Sequence, residues 1–111
     1  MIELTVLNYL RSKLSVEVHM EVPEDPPDRF VVLKKGDGRR EDFLYRSMFL
    51  VRSYGGTLLE AAELNEEAKK AMFGIRELPE IGGCYLTGDY NFTDTALKRN
   101  RYQAVFDIYH Y

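Results

Sequence analysis

Glu17, His19 and Glu21 alternate along one short stretch, the first place where residues of metal-ligand type recur at fixed spacing. An imidazole flanked by two carboxylates holds a divalent ion if all three face one point. The same alternation arises on any strand with one wet face, and no fourth ligand stands out nearby. His110 sits among tyrosines, with no sequence neighbour that would tune it for acid–base work, and reads as a surface or core-edge residue. Cys84, the single cysteine, follows Gly82-Gly83. Beside an apolar strand such a thiol reads as a small buried hydrophobe rather than a nucleophile. No Gly-x-Ser-x-Gly elbow, phosphate loop ending in Lys-Ser/Thr or dinucleotide glycine triplet occurs. The expectation is a protein without a catalytic centre, cofactor or metal; the rival is a small metal-dependent enzyme built on His19.

Two other groups of residues suggest contact rather than catalysis. Lys34, Lys35, Arg39 and Arg40 flank Asp37-Gly38, a dipeptide that favours a hairpin turn because both residues tolerate positive φ. They read either as a solvated edge that resists sheet-to-sheet association or as a basic finger for nucleic acid or an acidic neighbour. The stretch GDYNFTD, Gly88 to Asp94, reads as a loop that carries Tyr90 and Phe92. Those rings either anchor on a helix or a neighbouring subunit, or plug the end of the domain's own core. Arg101 and Tyr109 on the last strand are further candidate contact residues.

The elements that hold these groups follow from periodicity. Ile2, Val6, Tyr9, Leu10 and Leu14 recur at helical spacing. From Val16 to Val22 the period drops to two, a half-buried strand ended by the proline-rich Pro23–Asp28. A second strand starts at Arg29, and a third runs from about Glu41 to Tyr54 with neither face plainly polar. Gly55-Gly56 breaks it. Thr57 and Glu60 form a capping box for a helix that runs to about Phe73, with Leu58, Ala61, Ala62, Ala68, Met72 and Ile75 as its stripe and Gly74 as its stop. A short strand at Cys84–Thr87 and a last one complete the chain. On the last strand Tyr102, Ala104, Phe106, Ile108 and His110 share a face. The expected fold is α+β: a mainly antiparallel mixed sheet of about five strands, order α-β-β-β-α-β-β, with two helices on one face.

The 111 residues fit one domain, with 45% apolar and 30% charged residues. A lone cysteine suits a reducing cytoplasm. No segment has the ~20 apolar residues of a membrane span, and the N-terminus lacks the basic start and apolar run of a signal peptide. A net charge of −3 argues against a general nucleic-acid binder, although the basic hairpin keeps a nucleic-acid-binding module among the alternatives.

These pieces come in an order that resembles the tail terminator (tail completion) proteins of long-tailed bacteriophages. The sharpest parts are VPEDPPDRFVVLKKGDG, with an arginine before the strand, and YNFTDTALKRNRYQA. The likeness spans nearly the whole chain. It departs at Thr93 and Thr95, where the family usually has proline, and in a longer polar run before Arg101-Tyr102. The resemblance implies a structural subunit of the virion tail, assembled in the host cytoplasm, that closes into a ring, typically of six. The ring caps the tail tube, stops its polymerisation and meets the head-completion protein. Its partners would be copies of itself, the tube protein, the head-completion or connector protein and the DNA passing through the lumen, with no membrane and no cofactor. Lys34, Lys35, Arg39 and Arg40 would then line the lumen or face the tube end. A head-closure or connector subunit is the nearest alternative.

Overall fold

The computed structural model describes residues 1–111 and contains two helices on one face of a five-stranded mixed sheet. The elements are α1 (Ile2–Lys13), β1 (Glu17–His19), β2 (Phe30–Glu41), β3 (Leu44–Gly55), α2 (Leu58–Phe73), β4 (Ile81–Asn91) and β5 (Asn100–His110), with one 3-10 turn at Gly74–Glu77 after α2. The strand order is β1-β2-β3-β5-β4; β1 runs parallel to β2 and the other neighbours are antiparallel.

One core fills the space between helices and sheet. Val6, Leu7, Tyr9 and Leu10 of α1 and Leu64, Ala68 and Met72 of α2 pack on Val31, Leu33, Phe49, Val51, Ala104, Phe106 and Ile108. The inward face of β5 is the one expected from alternation. Helix α1 carries Glu3 in its first turn and Arg11 and Lys13 in its last, which suits its dipole. Helix α2 starts at Thr57, whose hydroxyl oxygen accepts from the Glu60 amide at 3.1 Å. Its buried stripe includes Leu64 and Asn65 rather than Leu58, which is 42% exposed. At Gly74 the backbone keeps right-handed helical angles, so the residue does not end α2 through a left-handed turn. A Cβ there would lie 2.6 Å from the Tyr9 hydroxyl, so the end of that side chain would have to shift.

Four expectations are corrected. The first strand spans only Glu17–His19, not Val16–Val22. Parallel pairing with Phe30–Val32 forces residues 20–29 to run back along the sheet, and Pro23, Pro26 and Pro27 cannot donate to a ladder. The β2–β3 turn lies at Asp42-Phe43, where Asp42 takes φ 55°, and not at Asp37-Gly38. The Asp37-Gly38 region is instead a bulge: the register slips by one between Lys35↔Phe49 and Gly38↔Ser47. Consequently Lys34 and Lys35 are set back along β2, and only Arg39 and Arg40 stand near the tip. Finally β4 runs from Ile81 to Asn91 instead of Cys84–Thr87, with register shifts at Ile81/Gly83 and Leu86/Gly88. Gly88 to Asn91 is therefore strand, and the loop proper begins at Phe92.

Candidate interaction surfaces

The face of the sheet opposite the helices is where the two aromatic residues of the GDYNFTD stretch belong. Register places Phe30, Val32, Arg52, Tyr54, Arg101 and Gln103 together on it. Phe30 and Tyr54 stack with centroids 4.3 Å apart and planes at 9°, and with Val32 they form a second small buried cluster. Arg101 extends the stack. Its guanidinium lies 5.8 Å from the Tyr54 ring and 4.5 Å from the Phe92 ring, while its Nε donates to the Phe92 carbonyl at 2.6 Å and its Nη1 to the Tyr54 hydroxyl at 3.0 Å. The Arg52 guanidinium approaches the same Phe92 ring at 5.3 Å and donates to Gln103 Oε1 at 2.8 Å. The Gln103 amide donates in turn to the Tyr90 hydroxyl, and the Tyr90 ring meets Phe92 edge-on at 6.0 Å.

Phe92 thus packs on its own sheet, through two arginines, and not on a helix. Tyr90 remains 44% exposed. Neither Arg52 nor Arg101 has a carboxylate partner, so the ladder presents positive charge held by π faces and neutral acceptors. The loop that delivers Phe92 is fixed locally. Asn91 Oδ1 accepts from both the amide (2.9 Å) and the hydroxyl (2.6 Å) of Thr93, and Asp94 Oδ1 accepts from the amides of Ala96 and Leu97 at 3.1 Å. A proline at position 93 could supply neither of these donors.

Further along the same face, Leu44, Arg46, Met48, Leu50, Val105, Asp107 and Tyr109 are all half-buried and no element covers them. Tyr109 meets the exposed Tyr85 edge-on at 5.8 Å, and with Leu44, Gly82 and Asp107 they border a shallow depression of about 480 Å³. Nearby, Arg39 and Arg46 both approach Glu41 Oε1, at 3.8 and 3.6 Å. Lys34 is half-buried in β2; Lys35, Arg39 and Arg40 are exposed. The surface therefore interleaves aromatic, aliphatic and charged side chains, the composition of an interface core and rim.

No protein-family model and no curated protein matches the chain.

The groups of possible chemical use lie elsewhere and apart from one another. His19 pairs with Glu17 Oε1 at 2.8 Å, Glu21 lies beyond the end of β1, and no three His, Cys, Asp or Glu side chains converge at metal-binding spacing. His110 is buried, with Nε2 2.8 Å from Ser47 Oγ and its ring stacked on Tyr45. Burial lowers its pKa, which favours the neutral imidazole. Burial also pushes the Cys84 thiol up to about 12, so little reactive thiolate forms near neutral pH.

A polar clasp that sequence reading missed joins β4 to α2. Asp89 accepts from Asn65 Nδ2 at 2.8 Å and from Lys69 Nζ at 2.6 Å, and Lys69 also reaches Glu66 at 2.7 Å. Partial burial pushes the Asp89 carboxyl up, but hydrogen bonds from Lys69 and Asn65 and the ammonium charge outweigh it and hold the pKa below its ordinary value. The bond to Asp89 raises the Lys69 pKa. The clasp's contribution is therefore fully present above the unfolded carboxyl value near pH ~4 and is lost as pH falls through the lower folded value. Asp89→Asn should be less stable than the parent at pH 7 and converge with it as the pH falls through the lowered folded value. Urea midpoints across that range check this; a constant gap would show that the clasp carries no charge-dependent stability.

Proposed function

We propose that the chain is a structural, non-catalytic subunit of the tail-terminator type, which assembles as a ring on the end of a bacteriophage tail tube, halts its growth and forms the tail side of the head–tail junction. The observation that carries this reading is the uncovered outer face of the sheet. Both helices lie on the other side, and what faces outward is a half-buried ladder of Arg52, Phe92 and Arg101 over the Phe30–Tyr54 stack, beside a strip of half-buried Leu44, Met48, Leu50, Val105 and Tyr109. A subunit that meets copies of itself head-to-tail needs two different adhesive surfaces, and aromatic residues, Met and Arg are the residue types such contacts favour. The order of motifs from Val22 to Ala104 adds the resemblance to tail terminators. Of the four cations this reading assigns to the tube end or to DNA in the lumen, Lys34 and Lys35 are set back from the hairpin tip and Arg39 and Arg40 stand near it.

Adding the purified protein to polymerising tail-tube protein and imaging the ends tests the proposal. Capped tubes of restricted length are expected, and unrestricted growth with bare ends would overturn it. Binding to filled heads but not to isolated tubes would replace it with the head-closure role.

A further inference from the structure

The two ends of the protomer differ in kind and in charge. At one end the Phe43 ring, in the β2–β3 turn, is 89% exposed, more than any other large apolar side chain. Arg39, Arg40, Glu41 and Asp42 stand beside it. Exposure of such a ring in the free protomer is a cost that burial in an interface would remove. The other end is reached along β2, where roughly 36 Å of strand separate Glu41 from Phe30, within a molecule 43 Å long. There the residues from Leu14 to Arg29 include Glu17, Glu21, Glu24, Asp25 and Asp28 and one cation, Arg29, which pairs with Glu67 at 4.0 Å. Pro26, Pro27 and the stacked Phe30 and Tyr54 contribute to a shallow recess of about 230 Å³, which Lys98 and Arg99 also border.

We propose that the hairpin tip of one copy docks into this recess on the next copy. Phe43 lies on Pro26 and Pro27, at the mouth of the recess whose floor the buried Phe30–Tyr54 stack forms. Arg39 and Arg40 meet Glu24, Asp25 and Asp28, and Glu41 and Asp42 meet Lys98 and Arg99. The match is one of both signs around an apolar centre, which sets register as well as attraction. Every protomer carries both halves at opposite ends, so the contact is heterologous and repeats, closing into a ring where the rotation per step permits. This deepens the reading given above, on which it rests for the fact of self-assembly.

Disulfide trapping tests it. Phe43→Cys and Pro27→Cys proteins are mixed and oxidised, once alone in concentrated solution and once bound at tube ends. Cys84 is 4% exposed and does not compete. The expected result in at least one setting is a mixed disulfide about tenfold more abundant than Phe43→Cys paired with itself or with Asn8→Cys on α1, equivalent to about 1.4 kcal/mol. Adding Arg39→Glu and Arg40→Glu to the first protein should reduce it to the control level, and adding Glu24→Lys and Asp25→Lys to the second should restore it. No preferential trapping in either setting, or trapping indifferent to charge reversal, overturns the contact. Capped tubes without the trapped pair would sink this contact and leave the terminator reading standing; trapping without capping would do the reverse.

Discussion

Phe106→Ala should destabilise the protein by about 3–5 kcal/mol, the range for removing a large ring from a packed core. Phe106 is fully buried at the centre of the inner face, paired across the ladder with Phe49 on β3 and Leu86 on β4. The Phe73 ring of α2 meets it edge-on at 5.8 Å, so the cavity would open directly beneath the helix. Since a domain of this size has only about 5–15 kcal/mol in total, a single such loss removes much of the margin. The melting temperature should fall by about 10 °C or more. Phe43→Ala, at the exposed hairpin tip, should stay within about 0.5 kcal/mol of the parent. Thermal and urea unfolding of the two variants side by side check the contrast, and a loss below about 1 kcal/mol for Phe106→Ala would contradict the packing described.

Gly55→Ala should be nearly as damaging for a different reason. A Cβ at position 55 would lie 2.4 Å from the Ala61 amide nitrogen and 2.8 Å from the Glu60 carbonyl carbon. Both are backbone atoms in the first turn of α2, so no side chain can swing away; the helix itself has to shift relative to β3. Overpacking of this kind costs about 1–3 kcal/mol, and displacement of a whole helix puts it at the upper end. Gly56→Ala is the matched control. Its nearest neighbour would be Asp28 Oδ2 at 3.5 Å, an ordinary contact, and no glycine here has positive φ. Equal melting temperatures for the two variants would refute the close-approach explanation. The pair also separates steric need from strand-breaking propensity, since both glycines look alike as a broken strand end.

Periodicity sufficed wherever burial alternates without interruption. The faces of β5 follow directly from residue order, as do the Val6, Tyr9 and Leu10 part of the α1 stripe, though not Leu7, and the Thr57 cap of α2, because each depends on neighbours within a few positions. Local propensity failed where a distant strand decided the matter. Asp37-Gly38 favours a turn in isolation, but β3 pairs with β5 from Tyr45 to Gly55, and the β2 register set by Phe30↔Tyr54 carries the hairpin on to Asp42. Similarly, Gly88 to Asn91 resembles a loop by composition and is held as strand by Val105 to Tyr102. Tyr90 and Phe92 could be singled out as rings needing a partner. Their partners could not, because Arg52, Tyr54 and Gln103 reach the ladder through pairings such as Arg101 with Tyr54 and Arg52 with Gln103, 47 and 51 positions apart. The Asp89 clasp was hidden likewise: its donors Asn65 and Lys69 sit on a helix more than a turn away from any feature that marks them.

The irregular borders of the sheet have a consequence for how such a molecule can multiply its contacts safely. On one flank β1 stops after His19, before a run of prolines, and the remainder of β2 is kinked at Lys35/Gly38 and lined with cations. On the other flank β4 is offset twice, at Ile81/Gly83 and Leu86/Gly88. Neither margin offers a straight row of free amides and carbonyls onto which a stray strand could zip. Fibre-like growth by main-chain addition is thereby discouraged, and adhesion is confined to side chains, where geometry and charge can limit how many copies join.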